Sequence, residues 1–278
     1  ILGQRWNNVV LVAEPKGMGW SFDIKSDEAE VTTFVHDDIE INGIDINAKR
    51  LSIVVESESG AEAPGSIPNS SISTSENTVQ SDTASALTGS ADLIRGLPDL
   101  HFECEVCTYN TKPLGKIVID TFSRDESLFI ENASLLYQRN EIRLTGIWVG
   151  DEGAGKTNLS GDIYSRYFGQ WMLDWELNTG IKQSDLHSKF SLSWDGAPHE
   201  FEFTSLNGDT TFKLGEGYLS EVSDKGARIF SLFSLNSLYR KLKFDFKDVF
   251  QKGLFYNDIK GSMQIENGVV YSEDVFMD

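Results

Sequence analysis

"NEIRLTGIWVGDEGAGKTNLSGDIYS", residues 140–165, is the stretch on which the fold class turns. Its centre, Gly150 to Thr157, matches the phosphate-binding pattern G-x-x-x-x-G-K-[ST] at every specified position. That pattern cradles phosphate only where a buried parallel strand enters the loop and a helix leaves it, because the helix N-terminus supplies the aligned N–H groups. Upstream, Ile142 and Leu144 alternate with Glu141 and Arg143, the pattern of an antiparallel strand with one wet side. Downstream, Leu159 alternates with Asn158 and Ser160, and Gly161 falls where a helix would have to nucleate. The stretch therefore reads as two strands joined by a polar, Gly-rich loop, with no nucleotide held at Gly150–Thr157. A Walker-B-like run, "KIVID", ends at Asp120, but such short apolar runs are common in β proteins.

The same period-2 alternation runs outward in both directions. Trp20, Phe22 and Ile24 alternate with Ser21, Asp23 and Lys25, and Phe190, Leu192 and Trp194 alternate with Lys189, Ser191 and Ser193. It recurs in "LHFECEV" (Leu100, Phe102, Val106), "KIVID" (Ile117, Ile119), "EFEF" (Phe201, Phe203) and "LKFDFK" (Leu242, Phe244, Phe246). Turn signals at Asn42-Gly43, Asp195-Gly196, Asn207-Gly208 and Asn267-Gly268 separate the runs. This predicts a mainly β chain of about a dozen or more short antiparallel strands. Residues 57–92, rich in Ser, Thr, Gly, Ala and acids and free of aromatics, Lys and Arg, read as a disordered linker or long loop. They divide an N-terminal β segment, 1–56, from a larger β-rich region, 93–278.

Two stretches look helical. "SRYFGQWMLDWEL" (165–177) gathers Phe168, Met172 and Trp175 near one face. "GARIFSLFSLNSLYRKL" (226–242) places Ile229, Leu232, Phe233 and Leu235 on an apolar side opposite Ser231, Ser234 and Ser237. The second reads as a helix docked on a sheet, with capping or gating of an apolar cavity as its functional alternative.

The 278 residues carry a formal charge of −19, which leaves no Lys/Arg stripe for nucleic acid and repels an anionic membrane surface on average. No apolar stretch approaches 18 residues, and "ILGQRWNNVV" has neither a basic n-region nor a cleavage site, so no signal peptide or transmembrane span is expected here. The four histidines, His36, His101, His187 and His199, lack ligand spacing, so no metal site or cofactor is expected. No G-x-S-x-G elbow, H-E-x-x-H helix or singled-out carboxylate pair points to catalytic residues. Cys104 and Cys107 form one C-x-x-C; in a straight strand their Cα atoms lie about 10 Å apart, too far for a disulfide without a bulge or turn. Free thiols, a disulfide at a strand end, and metal or redox chemistry all stay open.

The run from Gly226, with its Leu/Phe/Ser helix, the pair Arg240–Lys241, Leu-x-Phe-Asp-Phe-x-Asp at 242–248 and a Gly-initiated strand, resembles the C-terminal AsmA-like region of the YhdP family. "LPDLHFECEVCTYNTKPLGKIVID", "LTGIWVG" followed by "TNLSGDI", and "LSW" are similar to that family's order of elements. The resemblance implies a bridge-like lipid transfer protein of the Gram-negative envelope. It implies a periplasmic segment anchored in the inner membrane by a helix outside this chain. It also implies a long, twisted antiparallel sheet curled into an apolar groove that carries phospholipid acyl chains between inner and outer membrane. Groove-lining positions are then expected at Trp20, Phe22, Ile24, Phe102, Ile117, Ile119, Ile142, Leu144, Phe190, Leu192, Phe201 and Phe203, with Ile229, Leu232, Phe233 and Leu235 on a gating helix. A carbohydrate-binding or adhesive β-sandwich would share the many short strands and acidic surface, but would seal the alternating face between two sheets.

Overall fold

The computed structural model describes residues 4–55, 89–220, 254–272 and 274–278. The predicted helix at 226–242, with Ile229, Leu232, Phe233 and Leu235, lies outside the described residues. The N-terminal strands are β1 (Val10–Pro15), β2 (Gly19–Lys25), β3 (Ala29–His36) and β4 (Ile44–Ile53). Next come β5 (Leu100–Tyr109), β6 (Lys112–Arg124), β7 (Ser127–Tyr137), β8 (Asn140–Val149) and β9 (Lys156–Ser165). A two-residue β10 (Ile181–Lys182) is followed by β11 (Leu186–Asp195), β12 (Asn207–Leu214) and β13 (Gly217–Leu219). The last are β14 (Leu254–Tyr256), β15 (Ile259–Glu266), β16 (Val269–Tyr271) and β17 (Phe276–Met277).

Fourteen of these strands build one sheet, ordered β1 to β9 and then β11, β12, β15 and β16, with β17 also on β15; β10, β13 and β14 form a separate three-stranded sheet. The large sheet is open and mainly β as predicted. It is not the pair of comparable facing sheets that a sandwich requires. All neighbours in it are antiparallel except β4 and β5, which run parallel. An antiparallel neighbour needs only a short turn, whereas a parallel one needs a crossover. The Ser-rich residues 57–92 fall in that crossover.

Among the described residues three α-helices accompany the sheets: α1 (Ile39–Asn42), α2 (Ser90–Arg95) and α3 (Phe168–Asp174). The last corresponds to the stretch predicted at 165–177, shortened at both ends. Gly169 brings α3 onto β10, since a Cβ there would stand 1.8 Å from the Ile181 carbonyl oxygen. Pairs of short or irregular segments thus dock at the two margins of the large sheet. At one, Ile181, Leu219 and Tyr256 of the small sheet pack with Leu186, Leu214 and Ile259, flanked by Phe168 of α3. At the other, Ile94 of α2 packs with Trp148 and Ala197, with Leu128 alongside.

Cys104 and Cys107 are joined as a disulfide with Cα atoms 6.0 Å apart. The bulge that brings them together shows in the β5–β6 ladder, where Cys104 pairs with Ile117 and Cys107 with Gly115, so that two residues of β5 oppose one of β6. Val106, expected on the same side as Leu100 and Phe102, is turned to the opposite face, where it pairs with Arg50, and Cys107 takes its place. Both cysteines are buried with Ala48, against Val31, Leu51, Phe102 and Ile117.

Phe201 and Phe203 require a correction. They do not form a strand: Phe201 lies in the β11–β12 connection, and Phe203 opens a single 3₁₀ turn, Phe203–Ser205. Gly196 at φ 107° turns the chain out of β11, and the β11–β12 ladder starts only at Asn207. The alternation instead builds edge-to-face stacks, Trp194 on Phe201 at 5.4 Å and Phe201 on Phe203 at 4.9 Å.

Because the disulfide closes a short loop, chain-entropy arithmetic assigns it about 2 kcal/mol. The double substitution Cys104→Ser/Cys107→Ser is expected to lower the urea unfolding free energy by about that amount. An unchanged midpoint would show that the bulge holds without its covalent tie.

Candidate functional site

In a ladder, directly paired residues point to the same face. Following the pairs from strand to strand gives a central row across the sheet: Phe22, Thr33, Ile46, Phe102, Ile119, Ala133, then Leu144, Gly161, Phe190, Thr210 and Met263. On the same face, two residues along each strand, a second row runs from Ile24 through Cys104, Ile117, Ile142 and Ile163 to Phe212. A third runs from Trp20 through Leu100, Ile130, Leu159 and Leu192 to Ile265. None of the three rows contains Asp, Glu, Lys, Arg or His. Their polar members are the small hydroxyls Thr33, Thr121, Ser188 and Thr210; the last two hydrogen-bond to each other at 3.1 Å.

The structure therefore brings ten of the predicted positions onto one face: Phe22, Phe102, Ile119, Leu144 and Phe190 in the central row, Ile24, Ile117 and Ile142 in the second, Trp20 and Leu192 in the third. Phe201 (42 % exposed) and Phe203 (62 % exposed) stand outside the rows, at the margin beside Trp194.

Burial differs sharply between the middle and the margins of this face. Every residue of the central row from Phe22 to Met263 is half-buried. Past the second row the paired residues Asn140, Ser165, Leu186, Leu214 and Ile259 are all buried. Past the third row so are Trp148, Thr157 and Trp194. At these margins the Ser165 hydroxyl donates to Asn140 Oδ1 at 2.7 Å, and the Trp148 and Trp194 indoles donate to the Ala154 and Ala197 carbonyls. Over β8–β15 the face is thus buried at its margins and half-buried in its middle. Toward β1 the face opens, with Trp20 47 % and Leu11 60 % exposed.

The opposite face is charged. The row lying between the central and second rows reads Asp23, Thr32, Asn47, Glu103, Val118, Ser134, then Arg143, Asp162, Lys189 and Thr211. Opposite charges meet across strands: Lys49 contacts Glu30 at 3.1 Å and Lys116 contacts Glu103 at 2.5 Å. His101 Nδ1 lies 2.5 Å from Asp120, which also accepts from Asn132 at 2.9 Å. Hydrogen bonds and charge from Lys49 hold the Glu30 carboxyl below its usual range, and Lys116 does the same for Glu103. Burial pushes the Asp120 carboxyl up, but the bonds from Asn132 and His101 outweigh it and the net shift is downward.

The Gly150–Thr157 loop joins two antiparallel strands, β8 and β9, with no helix after it. Asp151 Oδ1 accepts from the Gly153 and Gly155 N–H groups at 2.6 and 3.0 Å, so the loop's inward donors are filled by its own carboxylate. Gly150 admits α2, since a Cβ there would stand 2.6 Å from Ala91 Cα, whereas Gly155 turns the chain at φ 75° with a Cβ position only 2.4 Å from the Val149 carbonyl oxygen. Thr157 is buried and donates to the Gly196 carbonyl at 2.7 Å, whereas Lys156 is exposed. Neither α2 nor the margin roles of Trp148 and Trp194 was foreseen; the one sequence cue was tryptophan at the end of an alternating run.

A single open sheet with one charged face and three uncharged rows across the other places the chain in the class of large open β-sheet proteins. The chain belongs to the YhdP family: that family's model, described as YhdP protein, matches residues 1–278. It is 25 % identical over 277 residues to the intermembrane phospholipid transporter YhdP of Escherichia coli (strain K12), covering 99 % of this chain and 20 % of that relative. The chain thus spans about a fifth of that relative's length. No solved structure matches it. Among the described residues no helix is long and apolar enough to cross a membrane.

Two outcomes follow from this geometry. Lys156→Ala should leave stability within about 0.5 kcal/mol, while Thr157→Val, which strands the Gly196 carbonyl, should cost about 1–3 kcal/mol; denaturant melts measure both. The Glu30, Glu103 and Asp120 carboxyls titrate lower in the folded chain than in the unfolded one. Their contribution is therefore complete above the unfolded value near 4 and is lost as pH falls through the lower folded values. Unfolding midpoints should stay level from about pH 7 to 5 and drop below about pH 4, with Asp120→Asn flattening the drop.

Proposed function

We propose that these residues form a segment of a lipid-carrying surface that moves phospholipids between the inner and outer membranes. In this reading the segment works in the periplasm, the longer protein is anchored in the inner membrane by a part outside this chain, and the apolar rows line a groove along which acyl chains travel. The observation that carries the reading is the set of three uncharged rows crossing the whole sheet, the central one half-buried throughout. Apolar side chains left facing an open trough call for an apolar occupant. The Escherichia coli relative, an intermembrane phospholipid transporter, suggests its chemical class.

The energetics suit carriage. At about 4.8 Å per strand, the rows from β1 to β15 extend roughly 55 Å, room for several lipids in file. Each buried methylene contributes about 0.8 kcal/mol, which holds an acyl chain firmly. Because successive strands offer similar apolar side chains, moving one strand along changes little, and binding and sliding are compatible. No catalytic group takes part.

Mass spectrometry of organic extracts from purified protein, against a mock purification, should find phospholipid at about one or more molecules per chain. Phe190→Asp or Ile119→Asp, placing a charge in the central row, should cut that yield about tenfold, the equivalent of about two methylene contacts. Ser191→Asp on the opposite face should leave it unchanged. Lipid-free wild-type protein, or equal losses from both faces, would end this reading.

A further inference from the structure

Past the second row, the apolar face meets a polar pocket. Asn140 lies two residues along β8 from Ile142, in the buried row beyond the second row. It forms one wall of a pocket of about 350 Å³ whose other walls include Arg139, in the turn before β8, and Tyr167, Trp171 and Asp174 on and beside α3.

The charges of this pocket are unpaired. Arg139 makes no ion pair among the described residues, although Asp174 lines the same pocket. The Arg166 N–H donates to the Arg139 carbonyl at 3.1 Å, which sets a second arginine without an ion pair beside the first. Two guanidiniums side by side, in a chain of charge −19, favour an anion between them. Trp171 offers a further donor. It is 7 % exposed, yet its indole N–H meets no acceptor among the described residues, whereas the Trp148 and Trp194 indoles both donate to carbonyls. A tryptophan this buried ordinarily finds a partner for its N–H. Asp174 Oδ1 accepts from Gln170 Nε2 at 3.3 Å, and Oδ2 stays free for a cation. A cation and an anion held apart across one pocket match a ligand that carries both charges.

The other side of the face is unsuited to phosphate. Past the third row, the connections at 125–126, 150–155 and 196–206 hold Asp125, Glu126, Asp151, Glu152, Glu200 and Glu202 and no Lys or Arg. They repel an anion, and the uncharged rows between the two sides cannot solvate one.

We propose that the pocket beside Arg139 binds the aminoalkyl phosphodiester headgroup of a phospholipid whose acyl chains lie on the apolar rows. The phosphate sits on Arg139, with Arg166 adjacent and the Trp171 N–H as a further donor, and the ammonium sits on Asp174. Headgroups therefore leave the apolar face past the second row. This rests on the lipid-carrying reading above and adds to it a headgroup class and a direction.

Glycerophosphoethanolamine, the headgroup without its chains, tests the pocket separately from the rows. Added to protein stripped of lipid, it should shift the Trp171 indole N–H resonance saturably in heteronuclear NMR spectra. Arg139→Gln and Asp174→Asn should each weaken binding about tenfold, the worth of one charge-assisted contact. Lys156→Gln, which removes a charge past the third row, should leave binding unchanged. Inorganic phosphate should bind about tenfold more weakly than the headgroup. Protein loaded from vesicles of equal phosphatidylethanolamine and phosphatidylglycerol should carry the amine lipid in excess, and Asp174→Asn should erase that excess without lowering total lipid. An unmoved Trp171 resonance, Arg139→Gln binding as wild type, phosphate binding equally well, or equal uptake of the two lipids would each overturn the assignment. Headgroup binding by a protein whose organic extracts contain no lipid would instead end the carrier reading, so the two failures are distinct.

Discussion

Phase along the backbone ladder is the constraint on which the rest of this structure depends. Side chains alternate with a period of two, so one uncompensated residue in any strand would exchange the apolar and charged faces of everything beyond it. The sheet contains such extra residues and neutralises each. Lys49 of β4 and Glu105 of β5 are skipped at the same level in adjacent strands. Their displacements match, and β3 and β6 on either side stay in phase with both until β6 itself gains Leu114, skipped between the Cys107–Gly115 and Thr108–Pro113 pairs. Glu131 of β7 is skipped between Ile130 and Asn132 in the pairing with β6. Lys49, Glu105 and Glu131 are charged, whereas Leu114 packs against the buried cystine. Lys49 reaches Glu30, and Glu105 and Glu131 line depressions among the polar residues of the other face. The three charged residues are thereby held on the wet side, and the apolar rows cross the sheet unbroken.

The disulfide follows from the same constraint. It spans the level at which β4 and β5 both gain a residue, in the place where straight alternation would have put Val106. Two buried sulfurs lie among Ala48, Leu51 and Ile117, so the covalent tie is part of the apolar surface as well as the anchor of its bend. A small core of this kind suits an open sheet, which lacks a second full layer to bury its face and relies instead on margins sealed by short elements.

Those margins explain residues that look functional in isolation. Gly150, Gly155, Lys156 and Thr157 satisfy a phosphate-binding pattern letter by letter. Yet Gly150 is dictated by the approach of α2, Gly155 by its positive φ beside the Val149 carbonyl, the threonine by the Gly196 carbonyl, and the lysine only by the polar face it points to. The inward N–H groups are turned on Asp151. A short motif carries chemistry only in the strand-to-helix setting that aligns its donors, and a hairpin with its own carboxylate inside is a different object.

Alternation alone was enough to establish the strand-rich class and to place Trp20, Phe22, Ile24, Phe102, Ile117, Ile119, Ile142, Leu144, Phe190 and Leu192 on one face, because the period-2 geometry of a strand is local and needs no partner to express it. What alternation cannot report is where a strand gains a residue, since a bulge is decided by the neighbouring ladder; hence the exchange of Val106 for Cys107 and the pairing of the cysteines appear only in the folded sheet. Nor can it separate a strand from an aromatic stack over four residues, so Phe201 and Phe203 looked paired when they in fact lean on Trp194. The parallel β4–β5 junction, the buried margins and the pocket between Arg139 and Asp174 all join residues far apart in the chain, and only the tertiary structure, through backbone groups that must find partners, decided them.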